Sequence, residues 1–153
     1  MIKRLIIGIL VLSAIYGAAL ATQDNTPPVL TGFTLSVTDI NTTAASQTVT
    51  ATFTVTDVLV GFDQGAIALY GPTSSQLRLV TFNSTNRVSG TANNGTYSIP
   101  LVWPQYSNVG TWWVSTIWLS DLLGNTVCYP RLQVSSGTSS NPVFGAYSAV
   151  HAH

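Results

Sequence analysis

Downstream of residue 21 the carboxylates are few: Asp24, Asp39, Asp57, Asp63 and Asp121, with no glutamate anywhere in the chain. Their placement is more telling than their number. In an antiparallel two-sheet domain, the start of the first strand, the end of the second and the end of the penultimate one share a pole. Those points carry Asp24, Asp57 with Asp63, and Asp121 with Asn125. Calcium takes about six to eight oxygen ligands from flexible loops, so these five residues form a candidate calcium site. The competing reading is that Asp57 and Asp121 cap turns, accepting backbone N–H groups through their side chains. The Asp121-Leu122-Leu123-Gly124-Asn125 run suits such a hairpin turn.

The catalytic inventory is poor. His151 and His153 are the only histidines and stand at the C-terminus. A Ser/His/Asp or Cys/His site would need one of them folded back and oriented by a partner. A glycosidase pair would have to use two aspartates. There is no phosphate-cradling glycine loop and no metal-spaced Cys/His set. The His-Ala-His end could bind a transition metal on a strand face, or simply be solvated. The expectation is a protein that is not an enzyme.

Aromatics supply a second candidate surface. Residues 111–120 read Thr-Trp-Trp-Val-Ser-Thr-Ile-Trp-Leu-Ser. With Trp112 and Val114 inward, a bulge at Ser115-Thr116 would switch the phase, turning Ile117 and Leu119 inward and Trp113 and Trp118 outward. Outward tryptophans on a flat sheet can stack on sugar rings or bury against a partner. Without the bulge Trp113 belongs to the core. Trp103 and Tyr106 read as core or corner residues. Three glycosylation sequons begin at Asn41, Asn83 and Asn94, all in turn-rich sequence.

The elements that must position these groups are strands. Alternation at period two dominates from Val29 on, and no amphipathic helix is visible. The clearest strand is 47–57, where Val49, Ala51, Phe53 and Val55 face one way and threonines the other. Others are expected at 29–37 (Phe33, Leu35 and Val37 inward), 65–70, 76–82 (Leu77 and Leu79), 96–103, 111–120 and 125–134, with a short edge strand near Arg87. Seven to eight strands without helices predict an all-β domain, a single immunoglobulin-like antiparallel sandwich over residues 29–134. An up-and-down barrel is the alternative. Residues 135–140 have linker composition. The tail to His153 holds Val143, Phe144, Tyr147 and Val150, and is either a loosely packed end or a strand that adds to a sheet, in its own copy or a neighbouring one.

Composition bounds the setting. Lys3 and Arg4, an apolar run to Ala21 and the small-x-small Ala19-Leu20-Ala21 have the form of a signal peptide over residues 1–21. Its apolar run of about 17 residues is at the lower limit for spanning a bilayer, so cleavage after Ala21 is expected, and membrane contact only through an uncleaved peptide. A polar leader, 22–28, ends in Pro27-Pro28. The remainder has three arginines against five aspartates, a net charge of about −2. That balance argues against a nucleic-acid partner. A surface of hydroxyls and amides also lacks the charge repulsion that keeps copies apart. Cys128 is the single cysteine, so no internal disulfide can form; it reads as a small apolar strand residue.

Three stretches resemble bacterial immunoglobulin-like domains of secreted and cell-surface proteins. Asp24-Asn25-Thr26-Pro27-Pro28-Val29-Leu30 is similar to their opening. Val55-Thr56-Asp57 followed by Gly61-Phe62 is similar to their Thr-Asp…Gly turn. Gly95-Thr96-Tyr97, Pro104-Gln105-Tyr106, Gly110-Thr111-Trp112 and Asp121 to Asn125 resemble their closing strands. The likeness runs over about residues 24–130. It departs at Val58 and Val60, where that family tends to carry oxygen-bearing side chains. The resemblance implies an adhesive, spacer or carbohydrate-associated module. The expected function is therefore an exported, non-catalytic structural or adhesive module whose partners are copies of itself or other surface proteins. It could assemble into filaments or layers by strand addition. The alternative is a carbohydrate-binding module that holds glycans on Trp113 and Trp118.

Overall fold

The computed structural model describes residues 23–73, 75–130 and 149–153. The expected signal peptide, the linker at 135–140 and the apolar residues Val143, Phe144 and Tyr147 lie outside these. Ten strands are formed by the described residues: β1 (Val29–Leu35), β2 (Asp39–Ile40), β3 (Gln47–Thr56), β4 (Phe62–Tyr70), β5 (Leu77–Asn83), β6 (Arg87–Gly90), β7 (Asn94–Trp103), β8 (Gly110–Asp121), β9 (Thr126–Pro130) and β10 (Ala149–Ala152). The only helical turn among them is a short 3-10 turn, Ser84–Asn86. No helix among the described residues is long and apolar enough to cross a membrane. The count exceeds the seven or eight expected by two short pieces, β2 and β10, while β6 is the short edge strand expected near Arg87.

Two sheets result. One has the order β1-β3-β7-β6. The other runs β2-β10-β8-β4-β5, with β9 also paired to β8. All pairings are antiparallel except β2 with β10, which is parallel. The 12-residue β8 shares one edge between two partners: β9 covers Thr116–Ser120 and β10 covers Gly110–Trp113. The tail strand thus pairs within its own chain.

The alternation of β3 and β7 explains why they pair. Val49, Ala51, Phe53 and Val55 are fully buried, as are Tyr97 and Trp103, with Ile99 and Leu101 nearly so. A continuous ladder from Gln47↔Trp103 to Thr56↔Asn94 puts both sets on one face. Aromatic rings join the two sheets: Phe53 of β3 stacks on Phe82 of β5 at 4.3 Å, and Phe62 of β4 meets Tyr97 of β7 at 4.6 Å. Large buried side chains of this kind contribute roughly 1.5–3 kcal/mol each.

The two leucines singled out on the 76–82 strand do not face the core, and one inward assignment on the first strand is corrected. Leu77 and Leu79 are exposed, and β5 instead turns Val80 and Phe82 toward the core. Both parities of this strand are apolar, so a one-residue phase choice inverts every side chain. Packing decides it, because β4 offers Gly65, where a Cβ would lie 2.6 Å from the Phe82 ring. Val37, beyond the end of β1, is also exposed.

Candidate metal centre

Three segments distant in sequence meet where β3 and β8 end. The leader brings Asp24, the residue after β3 is Asp57, and β8 ends in Asp121. One carboxylate oxygen from each lies within 4.8 Å of the others. The three residues are 3%, 5% and 1% exposed, respectively. Unit charges at this spacing repel by roughly 3 kcal/mol per pair at an effective dielectric of about 20. No ion pair among the described residues reaches them. The ion pair formed, His153 Nε2 to Asp39 Oδ1 at 3.9 Å, is exposed and elsewhere.

One oxygen of each carboxylate closes a turn, as the capping reading expects. Asp57 Oδ1 accepts the Gly61 N–H at 2.8 Å. Gly61 sits at φ 90°, a left-handed value that glycine takes without steric cost, and a Cβ there would fall 2.7 Å from the Ala92 side chain. Asp121 Oδ1 accepts N–H groups from Leu123 at 2.9 Å and Asn125 at 2.8 Å. Asp24 Oδ1 accepts the Thr26 hydroxyl at 2.6 Å and the Thr26 N–H at 2.9 Å. These donors favour the ionised form; the hydroxyl foremost, then the N–H, holds the Asp24 carboxyl below the ordinary carboxylate value.

The second oxygens differ from one another. Asp121 Oδ2 accepts from Asn125 Nδ2 at 2.6 Å, and that amide also donates to the Asp24 carbonyl at 3.1 Å. Asp24 Oδ2 accepts a longer bond from the Val60 N–H at 3.2 Å. Asp57 Oδ2 is buried and has no hydrogen-bond partner. An unsatisfied buried acceptor costs about 1–3 kcal/mol, more when charged. Chemically, the group is an all-oxygen, anionic donor set, the kind that suits a hard cation rather than a soft one.

Of the five residues proposed from sequence, the structure brings Asp24, Asp57 and Asp121 together. Asn125 touches two of them as a donor through its nitrogen. Asp63 is outside the group; it lies half-buried at the irregularity between Phe62 and Gln64 where β4 meets β8. Asn93 was missed. Its Nδ2 donates to the carbonyls of Asp57 at 3.1 Å and Leu59 at 3.3 Å, bracing the loop that presents Asp57. Only the β3–β7 register, with Thr56 opposite Asn94, reveals that neighbourhood.

Of the two readings of the tryptophan strand, the structure has the one with a bulge. Ala68 pairs with Thr116 and Leu69 with Val114, leaving Ser115 extra. Trp112, Val114, Ile117 and Leu119 are buried, while Trp113 and Trp118 stand half-buried on the opposite face. On that outer face Leu77, Tyr70 and Trp113 form one cross-strand row. Leu79, Ala68, Thr116 and Pro130 form the next, and Thr81, Ala66, Trp118 and Cys128 a third. None of these side chains is charged. Cys128 is exposed there, not packed inward. Trp103 is fully buried, whereas Tyr106 is 76% exposed at φ 61°, a corner residue. His151 and His153 lie on or just after β10. His151 Nδ1 is 3.0 Å from the Thr111 hydroxyl, so the end of the chain is held on the sheet. Asn41, Asn83 and Asn94 are all exposed. The Asn41 and Asn83 side-chain oxygens accept from Thr43 and Thr85, respectively.

Residues 23–152 match the family described as a domain of unknown function, DUF7035. The chain belongs to that family. No curated protein matches it. The DUF7035 match begins one residue before Asp24 and reaches Ala152 of β10, so it takes in both the carboxylate of the leader and the strand that completes the second sheet.

Proposed function

We propose that the chain is an exported, non-catalytic interaction module with an immunoglobulin-like sandwich fold. The strand order supports the fold: β1-β3-β7-β6 corresponds to the A-B-E-D sheet of that architecture, and β4 with β8 and β9 to its C-F-G sheet. The observation that carries the function is the outer face of β5, β4, β8 and β9. Its cross-strand rows are uncharged and include Tyr70, Trp113 and Trp118, with Leu77 and Leu79 more than half exposed. Contiguous apolar surface of this kind marks interaction sites. The partners proposed are copies of the chain or other surface proteins. Because β10 pairs in cis with β8 and β2, the sheet face supports this reading better than donation of the tail strand.

Sedimentation of the purified protein across a concentration series tests the proposal. Self-association is expected, and Leu79→Asp should abolish it while leaving the fold intact. Trp113 and Trp118 on this same face favour glycan binding as a second reading. A protein that stays monomeric yet binds an arrayed glycan, with binding lost in Trp118→Ala, would overturn the first reading in favour of the second.

A further inference from the structure

We propose that Asp24, Asp57 and Asp121 hold a calcium ion that ties the leader to the ends of β3 and β8. This inference does not depend on the sheet face. Its first ground is convergence: three buried carboxylates place oxygens within 4.8 Å of one another. Its second is separate from clustering. Asp57 is 95% buried, yet its Oδ2 has no partner. Turn capping explains Asp57 Oδ1, both oxygens of Asp121 and the Thr26 contacts of Asp24; it leaves this atom unexplained. A cation supplies both the missing partner and the missing positive charge.

The donor chemistry selects the ion. The ligands are oxygens alone, with no histidine or cysteine in the group, which disfavours zinc and copper. Magnesium keeps several waters and takes one or two carboxylates in a near-octahedral shell. Calcium tolerates irregular shells built from several carboxylates, carbonyls and water. The carboxylates here come from three separate segments, and the Asp24 carbonyl is already turned toward Asn125 Nδ2. Asp24 is the only one of the three in the leader ahead of β1, whereas Asp57 directly follows β3 and Asp121 ends β8. Binding would therefore fix the direction in which the leader meets the domain.

Isothermal titration of the metal-depleted protein with calcium chloride, and separately with magnesium chloride, tests the proposal. One saturable calcium site is expected, tightening to or beyond the roughly 10⁻⁴–10⁻³ M typical of extracellular modules, with magnesium at least tenfold weaker. Asp57→Asn preserves shape and removes one charge, and should weaken calcium at least tenfold. Asp63→Asn, outside the group, should leave affinity unchanged. Amide exchange at residues 23–26 should slow in calcium for the wild-type and Asp63→Asn proteins and not for Asp57→Asn. Absence of saturable calcium binding would overturn the proposal, as would equal affinity for magnesium or an Asp63→Asn effect as large as that of Asp57→Asn.

Discussion

The two ends of the molecule solve the same problem with opposite charge. Near the start of β5 and the end of β7, Arg78 lies over two tryptophans, 5.5 Å from the ring of Trp103 and 5.1 Å from that of Trp112. The two indoles meet edge to face at 6.2 Å. Arg78 Nη1 donates to the Val102 carbonyl at 2.6 Å. That end closes itself with its own cation, whose attraction to the ring faces is worth about 0.5–2 kcal/mol. At the other end Asp24, Asp57 and Asp121 gather with no cationic side chain paired to them among the described residues. A chain whose single cysteine is exposed has no internal disulfide to pin its sheets. The arginine end therefore carries its own cation, with Arg78 Nε and Trp103 Nε1 left without hydrogen-bond partners, whereas the carboxylate end calls for a charge from outside.

That contrast gives graded expectations. The largest effect belongs to Trp103→Ala at the closed end. Loss of a fully buried indole should cost about 3–5 kcal/mol in urea denaturation, equally in calcium and in EGTA. A cost that depended on chelator would break the distinction between the ends. Next comes Asp121→Ala, which strips acceptors from the Leu123 and Asn125 N–H groups and from Asn125 Nδ2. About 2–3 kcal/mol is expected in EGTA, with a larger loss in calcium. Arg78→Met keeps an apolar stem over the indoles but removes the cation and its hydrogen bond. It should cost about 1–2 kcal/mol, independent of calcium.

The smallest effect is on acid stability in EGTA. The Thr26 hydroxyl and N–H lower the Asp24 carboxyl below its ordinary 3.8. A depressed folded value stabilises the protein above the unfolded value, and the contribution is lost as pH falls through the folded one. Thr26→Val removes the hydroxyl donor. It should bring the loss to higher pH, read as an earlier onset of acid unfolding by circular dichroism.

Much of the frame was legible because β3 and β7 alternate strictly and allow one phase. The Ser115 bulge was legible for the same reason: apolar residues at 112, 114, 117 and 119 cannot share a face of β8 without an extra residue. The meeting of Asp24, Asp57 and Asp121 followed from strand order alone. What failed depended on packing between elements. In β5 both parities are apolar, and the choice fell to the Phe82 ring over Gly65 beside Phe53. Asp63 was grouped with Asp57 by proximity in sequence, but the turn at Gly61 and the irregularity after Phe62 separate them. Arg78 counted in the sequence only as one arginine among three, since nothing local signals that its strand turns it toward Trp103 and Trp112. β2 has two residues and exists through its parallel pairing with β10, a contact across most of the chain.

The central claim is that the carboxylate end is built around a cation. Thermal unfolding of the wild-type protein and of Asp57→Asn, each in saturating calcium and in EGTA, tests it most directly. Calcium at about a hundredfold over its dissociation constant should stabilise the wild type by about 2.7 kcal/mol. In EGTA, Asp57→Asn should be as stable as the wild type or more so, because it removes an unpartnered buried charge beside two others. It should gain little when calcium is added. Wild-type melting curves that superimpose in calcium and EGTA, or an Asp57→Asn protein that is destabilised in EGTA and still gains fully from calcium, would contradict it.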